Sequence, residues 1–263
     1  MEIRLRKMEA TLDDVVQYKL NDEQTVIEVN ALIGKKISLN FNGKVQCMNC
    51  QTFPRKLFAQ GFCYNCFMSA PQAADWVLHP EKSKAHLGIE ERDLEYEKMI
   101  QLKPHFVYLA VASALKVGVT RGTQIPTRWI DQGASFAIKV AETPHRQLAG
   151  EIEVALKTHF TDKTNWRKML KNEVAHFDLE EEKWKIEELL PNDLSQYMTE
   201  DDEIIEIKYP VIEYPEKVRS IGFDKQPLIE GTLLGIKGQY LIFEDNKVLN
   251  IRKHEGYYVE LNY

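Results

Sequence analysis

Four cysteines within 20 residues are the strongest chemical signal in the chain. Cys47 and Cys50 form one C-x2-C pair, and Cys63 and Cys66 form a second pair after twelve intervening residues. Two residues between thiolates let a tight turn direct both sulfurs towards one point, and two such turns supply the ligands of tetrahedral zinc. We therefore predict one structural Zn²⁺ site. A catalytic zinc is not expected, because four thiolates leave no open coordination position.

A β-rich region is predicted to carry the first cysteine pair. Residues 37–41 alternate between apolar and polar, and Asn42-Gly43 is typical of a type I′ turn, so the pattern predicts a hairpin that leads into Cys47. The resulting zinc ribbon either only stabilises its surroundings or also contacts nucleic acid or a protein. Disulfides and an iron–sulfur cluster are the remaining alternatives, and a reducing compartment disfavours disulfides.

A second group of candidate residues lies in the middle of the chain. Apolar runs and turn residues there predict a hairpin, a short helix, a third strand and a helix with one buried face. The predicted strands cover residues 106–111, 115–120 and 136–140, and the helices begin near Pro126 and Thr143. Along these elements lie Tyr108, Lys116, Arg128 and Glu153.

This ordered set resembles the GIY-YIG domain of nucleases. Phe106-Val107-Tyr108 stands where the family has G-I-Y, and Lys116-Val117-Gly118 stands where it has Y-I-G. Arg128 matches the arginine of the helix that follows. Glu153 begins an E-x-x-L-x-x-x-F segment like the one that carries the family's metal-binding glutamate, and Asn165 falls where repair nucleases place an asparagine.

The resemblance implies metal-dependent cleavage of phosphodiesters, with Tyr108, Lys116, Arg128 and Glu153 as catalytic residues. Glu153 would hold Mg²⁺ or Mn²⁺, and Glu151 is the alternative ligand if the register is shifted by two residues. Arg128 would bind the phosphate as charge develops on it. Nucleic acid is then the expected partner.

Two positions depart from the family pattern. Lys116 replaces the second family tyrosine, and Gln132 occupies a position where the family often has a general-base candidate. Because an amide does not accept a proton at neutral pH, Tyr108 would have to act instead, with its pKa lowered by Lys116 or by the metal. The alternative function is therefore a non-catalytic module that binds nucleic acid or a protein partner, or a purely structural assembly protein.

Charge is distributed unevenly along the chain. The net charge is −6, yet residues 178–206 hold 12 acidic and 2 basic side chains, and residues 101–177 hold 11 basic and 6 acidic ones. The acidic run is typical of a solvated face, and an autoinhibitory mimic of phosphate is the sharper alternative. A basic surface suited to a nucleic-acid backbone is predicted from Lys116, Arg121, Lys139, Arg146, Lys163, Arg167 and Lys168.

Taken together, the patterns predict an α+β fold of several parts. The chain as a whole resembles the bacterial family called domain of unknown function 2797. The expected parts are a β-rich region with a zinc ribbon (1–70), a helical linker (71–103), a GIY-YIG-like domain with a three-stranded sheet and flanking helices (104–177), an acidic connector (178–206) and a C-terminal small β-barrel or meander (207–263).

A membrane partner is not expected. No apolar run approaches the roughly 18–20 residues of a membrane span, and the N-terminal residues mix both signs of charge without an apolar signal core. The expected location is the cytoplasm.

Overall fold

The computed structural model describes residues 1–22, 25–157, 159–160 and 165–263, so Lys163 of the predicted basic surface lies outside the described residues. The strands are β1 (Glu2–Arg4), β2 (Glu9–Thr11), β3 (Gln17–Asn21), β4 (Val26–Glu28), β5 (Lys36–Val45), β6 (His105–Val111), β7 (Leu115–Arg121), β8 (Phe136–Thr143), β9 (Ile205–Glu206), β10 (Arg219–Ile221), β11 (Leu228–Lys237), β12 (Tyr240–Phe243), β13 (Lys247–Asn250) and β14 (Tyr257–Asn262). The α-helices are α1 (Tyr64–Ser69), α2 (Leu94–Gln101), α3 (Thr127–Asp131), α4 (Arg146–Leu156), α5 (Trp166–Leu170), α6 (Leu179–Leu189) and α7 (Asn192–Ser195).

The strands form three sheets, which confirms the predicted α+β class. The largest sheet has the order β1-β14-β5-β11-β12-β13-β10, a second has β2-β3-β4, and a third has β7-β6-β8-β9. Short 3₁₀ turns fill much of the segment between α1 and α2. Among the described residues, no helix is both long and apolar enough to cross a bilayer.

The predicted C-terminal barrel is wrong, because no sheet within the described ranges closes on itself. Strands β11, β12 and β13 do form an antiparallel meander. However, β11 is ten residues long, and its first half pairs with β5 while its second half pairs with β12. One long strand therefore joins the meander to strands from the start of the chain, and both ends of the chain share one open sheet.

The predicted hairpin at Asn42-Gly43 is also wrong. Strand β5 runs through both residues and stays paired with β14 on either side of them, from Leu39 opposite Leu261 to Val45 opposite Tyr257. The register shifts between these points, and Gly43 has φ +86°. Glycine thus supplies the left-handed conformation for a bulge within a strand, and not for a turn.

The central sheet contains the predicted hairpin and has four strands instead of the three expected. Strand β6 lies between β7 and β8, and β9 from the acidic segment adds the fourth strand. Helix α4 packs on one face through Ile152 and Leu156, in a core shared with Val107 and Leu109. The opposite face, which includes Tyr108, belongs to the core of the large sheet. The central sheet is therefore covered on both faces.

The acidic segment is a packed part of the fold. Helix α6 buries Leu179 and Ile186 against the central sheet. The ammonium of Lys183 is 2.6 Å from Asp202, and Asp201 forms an ion pair with Lys139 on β8. One lysine of the predicted basic surface is therefore already neutralised by this segment.

Candidate functional site

The four cysteines converge on one point beside the large sheet. Cys47 and Cys50 lie in the turn after β5, Cys63 is the N-cap of α1, and Cys66 lies in the first turn of that helix. All four sulfurs lie within 4.8 Å of one another, and Cys50 Sγ is 3.7 Å from Cys63 Sγ. Zinc–sulfur bonds of about 2.3 Å place tetrahedral thiolates roughly 3.8 Å apart. The cluster is positioned to hold a metal ion and is consistent with structural zinc.

Hydrogen bonds from N–H groups to sulfur favour the ionised form of two of these thiols, Cys47 and Cys66. The Cys63 N–H donates to Cys47 Sγ at 3.2 Å, and Asn49 Nδ2 donates to Cys66 Sγ at 3.3 Å. A hydrogen bond with the Thr52 hydroxyl lowers the pKa of Cys50 to about 6. Asn49 also acts to lower the pKa of Cys66, but burial and hydrogen bonds with the other thiols outweigh it and raise that pKa to about 12. Since thiolates are the metal ligands, metal binding here releases protons.

A second site is built on the β6–β7 hairpin. Tyr108 lies directly opposite Gly118, and the tyrosine ring covers the glycine so closely that a Cβ at Gly118 would be 2.6 Å from Tyr108 Oη. Only a residue without a side chain fits under the ring. The spacing of tyrosine and glycine noted in the sequence thus corresponds to a direct contact across two strands.

The predicted catalytic residues line one cavity at the edge strand β7. Its volume is about 160 Å³, and Tyr108, Lys116, Arg128 and Glu153 all contribute to its wall. These residues come from β6, β7, α3 and α4 in turn. Pockets for drug-sized ligands measure about 300–1,000 Å³, so this cavity is suited to a smaller group such as one phosphate.

Tyr108 is held as a hydrogen-bond donor to this cavity. Its hydroxyl accepts a hydrogen bond from Gln132 Nε2 at 2.8 Å, which leaves the phenolic proton available to a ligand. Burial raises the pKa of Tyr108, although Arg128 and Gln132 act in the opposite direction. The side chain is 1% exposed and stays protonated at neutral pH. Gln132 Oε1 is buried and has no hydrogen-bond partner among the described residues.

Three cations and one carboxylate surround the cavity. Lys116, Arg128 and Arg146 supply the positive charges, and Glu153 is the single acid among the described lining residues. The Glu153 side chain is 13% exposed and lies 3.6 Å from the ammonium of Lys157. The lining therefore carries a formal charge of 3 − 1 = +2, which favours an anion.

Arg146 is a cavity residue whose role the sequence reasoning missed. Its guanidinium donates to the carbonyls of Trp76 and Val77, at 3.3 and 2.9 Å, so it is fixed in place. Burial lowers the pKa of Arg146 to about 10, and the group stays charged at neutral pH. The signal was present in the sequence, because Arg146 lies seven residues before Glu153 and two helical turns place both on one face of α4.

The predicted linker covers part of the cavity. Val77, Leu78 and Pro80 line it, and the backbone of Glu81 packs against α4 at Gly150. A Cβ at Gly150 would lie 2.2 Å from the Glu81 nitrogen, so the contact depends on glycine. Nothing in the sequence pattern of this segment indicated that contact.

Other predicted residues lie outside the cavity. Glu151 is exposed and hydrogen-bonded to Gln147, so Glu153 is the glutamate that faces the site. Asn165 caps α5 by accepting from the backbone N–H groups of the next turn. Arg167 stacks over the Trp166 ring at 4.3 Å. The predicted basic surface is therefore divided among several places.

The structure thus defines a mixed α+β protein with four cysteines positioned to hold a metal ion and with a small cationic cavity. The chain belongs to the family described as "Protein of unknown function (DUF2797)", whose model matches residues 34–259. This match confirms the resemblance to domain of unknown function 2797. No curated protein and no solved structure matches the chain. The likeness of residues 104–177 to GIY-YIG nucleases stays a prediction.

Proposed function

We propose that the protein cleaves phosphodiester bonds of nucleic acid at the cavity beside β7, with a divalent cation. The observation that carries the proposal is the convergence of Tyr108, Lys116, Arg128 and Glu153 on one small cavity, although they are spread over 46 residues and four elements. A tyrosine hydroxyl, two kinds of cation and a carboxylate are the groups that phosphate chemistry uses.

In this proposal, one group of cavity residues binds the phosphate and another binds the metal ion. Arg128, Arg146 and Lys116 bind the phosphate oxygens, and the Tyr108 hydroxyl donates to one of them. In the reaction, water adds to phosphorus and releases a proton to solvent, the phosphorus–oxygen ester bond breaks, and the leaving oxygen takes up a proton from solvent. The cations stabilise the negative charge that increases on the phosphate during this step.

The donor set fits Mg²⁺ or Mn²⁺. Glu153 offers a carboxylate and Gln132 offers a neutral oxygen, and Mg²⁺ commonly keeps several waters in addition to one or two carboxylates. When bound, such an ion would neutralise charge on the phosphate and stabilise the leaving oxygen. The four-cysteine cluster would hold Zn²⁺ and have a structural role.

A cleavage screen with Mg²⁺ and Mn²⁺ on single-stranded, branched and duplex substrates tests the proposal. Glu153→Gln keeps the shape of the side chain and removes the charge that a cation needs, so it should abolish metal-dependent cleavage. Glu151→Gln is the matched control, because it makes the same change on an exposed position of the same helix. Arg128→Ala should lower the rate by ~10²–10³, as loss of one transition-state donor does elsewhere. Equal rates in Glu153→Gln and wild type would exclude this centre.

A specific observation favours a second candidate, a non-catalytic phosphate-binding module. Among the described lining residues, neither Tyr108 nor Gln132 is suited to take a proton from water, since burial raises the pKa of Tyr108 and Gln132 is an amide. The cationic lining binds phosphate whether or not a bond is cleaved. Salt-dependent binding of oligonucleotides without cleavage by the wild type would support this second function.

A further inference from the structure

A larger groove lies beside the four-cysteine cluster and has a different chemistry from the cavity at β7. Its volume is about 850 Å³. One wall is the loop between the two cysteine pairs, and the other is formed by residues near the end of the chain. Four exposed cations line it, namely Arg55, Lys56, Arg252 and Lys253. None of them forms an ion pair with an acid in the part of the chain that the structure describes.

Aromatic rings line the same groove. Phe58 is 36% exposed, with the ammonium of Lys56 5.4 Å from its ring centroid. On the opposite side, the half-buried rings of Phe41 and Tyr257 lie 4.8 Å apart. Cations that track a phosphate backbone, combined with rings on which bases stack, are the groups that bind single-stranded nucleic acid.

The acids of this region do not cancel the positive charge. Asp224, the one acid among the described residues of the groove wall, accepts a hydrogen bond from the Tyr257 hydroxyl at 3.0 Å. Glu255, just beyond the groove, accepts from the Lys7 N–H at 3.1 Å, and burial raises its pKa. The groove wall itself therefore carries a formal charge of 4 − 1 = +3.

The groove leads towards the cavity at β7. A middle cavity of about 610 Å³ shares Arg252 and Lys253 with the groove, and it shares Val77 and Leu78 with the cavity that contains Glu153. Arg92 also lines this middle section, together with the acids Asp75 and Glu255. The three spaces therefore adjoin one another in series, from the cysteine cluster to the candidate phosphate site, and this series is called the path below.

We propose that this path binds a single strand of nucleic acid, with bases stacked in the groove and the backbone leading to the cavity at β7. The proposed binding is argued from the cations and aromatic rings of the groove alone. The statement that the strand leads to a cleavage site rests on the proposed function. A metal ion bound by the four cysteines would fix both ends of the loop that carries Arg55, Lys56 and Phe58, because this loop connects the two cysteine pairs.

Binding of a fluorescently labelled dT oligomer of about 20 nucleotides, followed by anisotropy without added Mg²⁺ or Mn²⁺, tests the groove. Arg252→Ala with Lys253→Ala should weaken binding and reduce the slope of log K against log salt by about 1.4, since each phosphate contact to a single strand contributes about 0.7. Lys217→Ala with Arg219→Ala is the matched control, because it removes the same charge from exposed positions outside the groove.

Phe58→Ala tests stacking separately from charge. Loss of one stacking platform should weaken dT binding by about tenfold, without changing the salt slope. Affinity for a duplex should be lower than for the single strand, because paired bases are not available to the rings. Equal binding by all variants and the wild type, equal affinity for duplex, or tighter binding of a polyglutamate peptide would each overturn the groove proposal.

The two proposals fail in different experiments. If the groove variants lose binding while the wild type cleaves no substrate, the strand-binding groove stands and the proposed nuclease function is excluded. If the wild type cleaves and the groove variants bind and cleave normally, the nuclease stands and the groove is excluded.

Discussion

Replacing Gly118 by alanine tests whether the Tyr108 ring must lie directly on the neighbouring strand. The added Cβ would be 2.6 Å from Tyr108 Oη and 2.7 Å from Cζ, whereas ordinary contacts begin near 3.4 Å. The hydroxyl would therefore have to move by 3.4 − 2.6 = 0.8 Å. Tyr108 is 1% exposed, its ring packs edge-on against Trp129, and its hydroxyl accepts a hydrogen bond from Gln132. The ring therefore has little room to move.

The effect of forcing a buried ring to move on the free energy of unfolding can be predicted. Overpacking of a core typically lowers the free energy of unfolding by about 1–3 kcal/mol. We expect Gly118→Ala to lower it by this amount, and to lower the melting temperature by about 2–4 °C for each kcal/mol. If the cavity is catalytic, a displacement near 1 Å should also reduce the rate by about 10²-fold.

A double-mutant cycle with Tyr108→Leu, followed by urea unfolding, checks the cause. Without the ring, Gly118→Ala should have almost no further effect, so the two changes should be coupled by about 1–3 kcal/mol. Gly122→Ala is the milder control, because its Cβ would lie 3.0 Å from the Phe106 ring. Additive effects of Gly118→Ala and Tyr108→Leu would show that the ring does not require the glycine.

Three further predictions follow from the contacts described above. Cys63→Ser should lose the single zinc ion per chain that elemental analysis of the wild type should find. The pKa of the fully buried Lys237 is lowered by burial from 10.5 to about 8, so the unfolded state binds more protons between these pH values. The free energy of unfolding should therefore rise by up to about 3 kcal/mol across that range, in contrast to Lys237→Met. Gly150→Ala should lower the free energy of unfolding by about 3 kcal/mol, because its Cβ would overlap the backbone at Glu81; thermal unfolding with no loss of stability would contradict this contact.

Local sequence patterns were sufficient to predict contacts between residues that are close in sequence. The cysteine spacing located the metal cluster, and the turn at 112–114 fixed the β6–β7 hairpin and hence the pairing of Tyr108 with Gly118. The turn predicted at Gly43 was wrong for an identifiable reason. A type I′ turn and a bulge both require a positive φ, so the residue type alone does not distinguish them.

Contacts between distant segments were not accessible to this reasoning. Strands β1 and β14 pair although more than 250 residues separate Glu2 from Glu260, and no local pattern specifies that register. The linker around Val77 lacks a helical or strand period, so its position over the cavity did not follow from the sequence. Its carbonyl groups nevertheless orient Arg146.

A comparison of two buried cations clarifies which charges indicate a ligand. Lys237 is fully buried and burial lowers its pKa, but its ammonium donates to Asn172 at 2.7 Å and lies over the rings of Tyr209 and Tyr214, so the protein itself supplies its partners. Arg146 instead shares a solvent cavity with two more cations, and the positive charges of Arg128 and Arg121 add to burial in lowering its pKa.

The unusual feature of the cavity at β7 is that several cations lie close together, and not that one of them is buried. Like charges in one small cavity destabilise the folded chain, and the carboxylates of Glu153 and Glu81, which both act on Arg146, offset only part of that repulsion. An anion in the cavity removes the remaining repulsion, and a hydrated cation beside Glu153 would add a counter-charge for a phosphate. Chains depart from locally stable choices mainly at functional sites. The grouping of Lys116, Arg128 and Arg146 around Glu153 is such a departure.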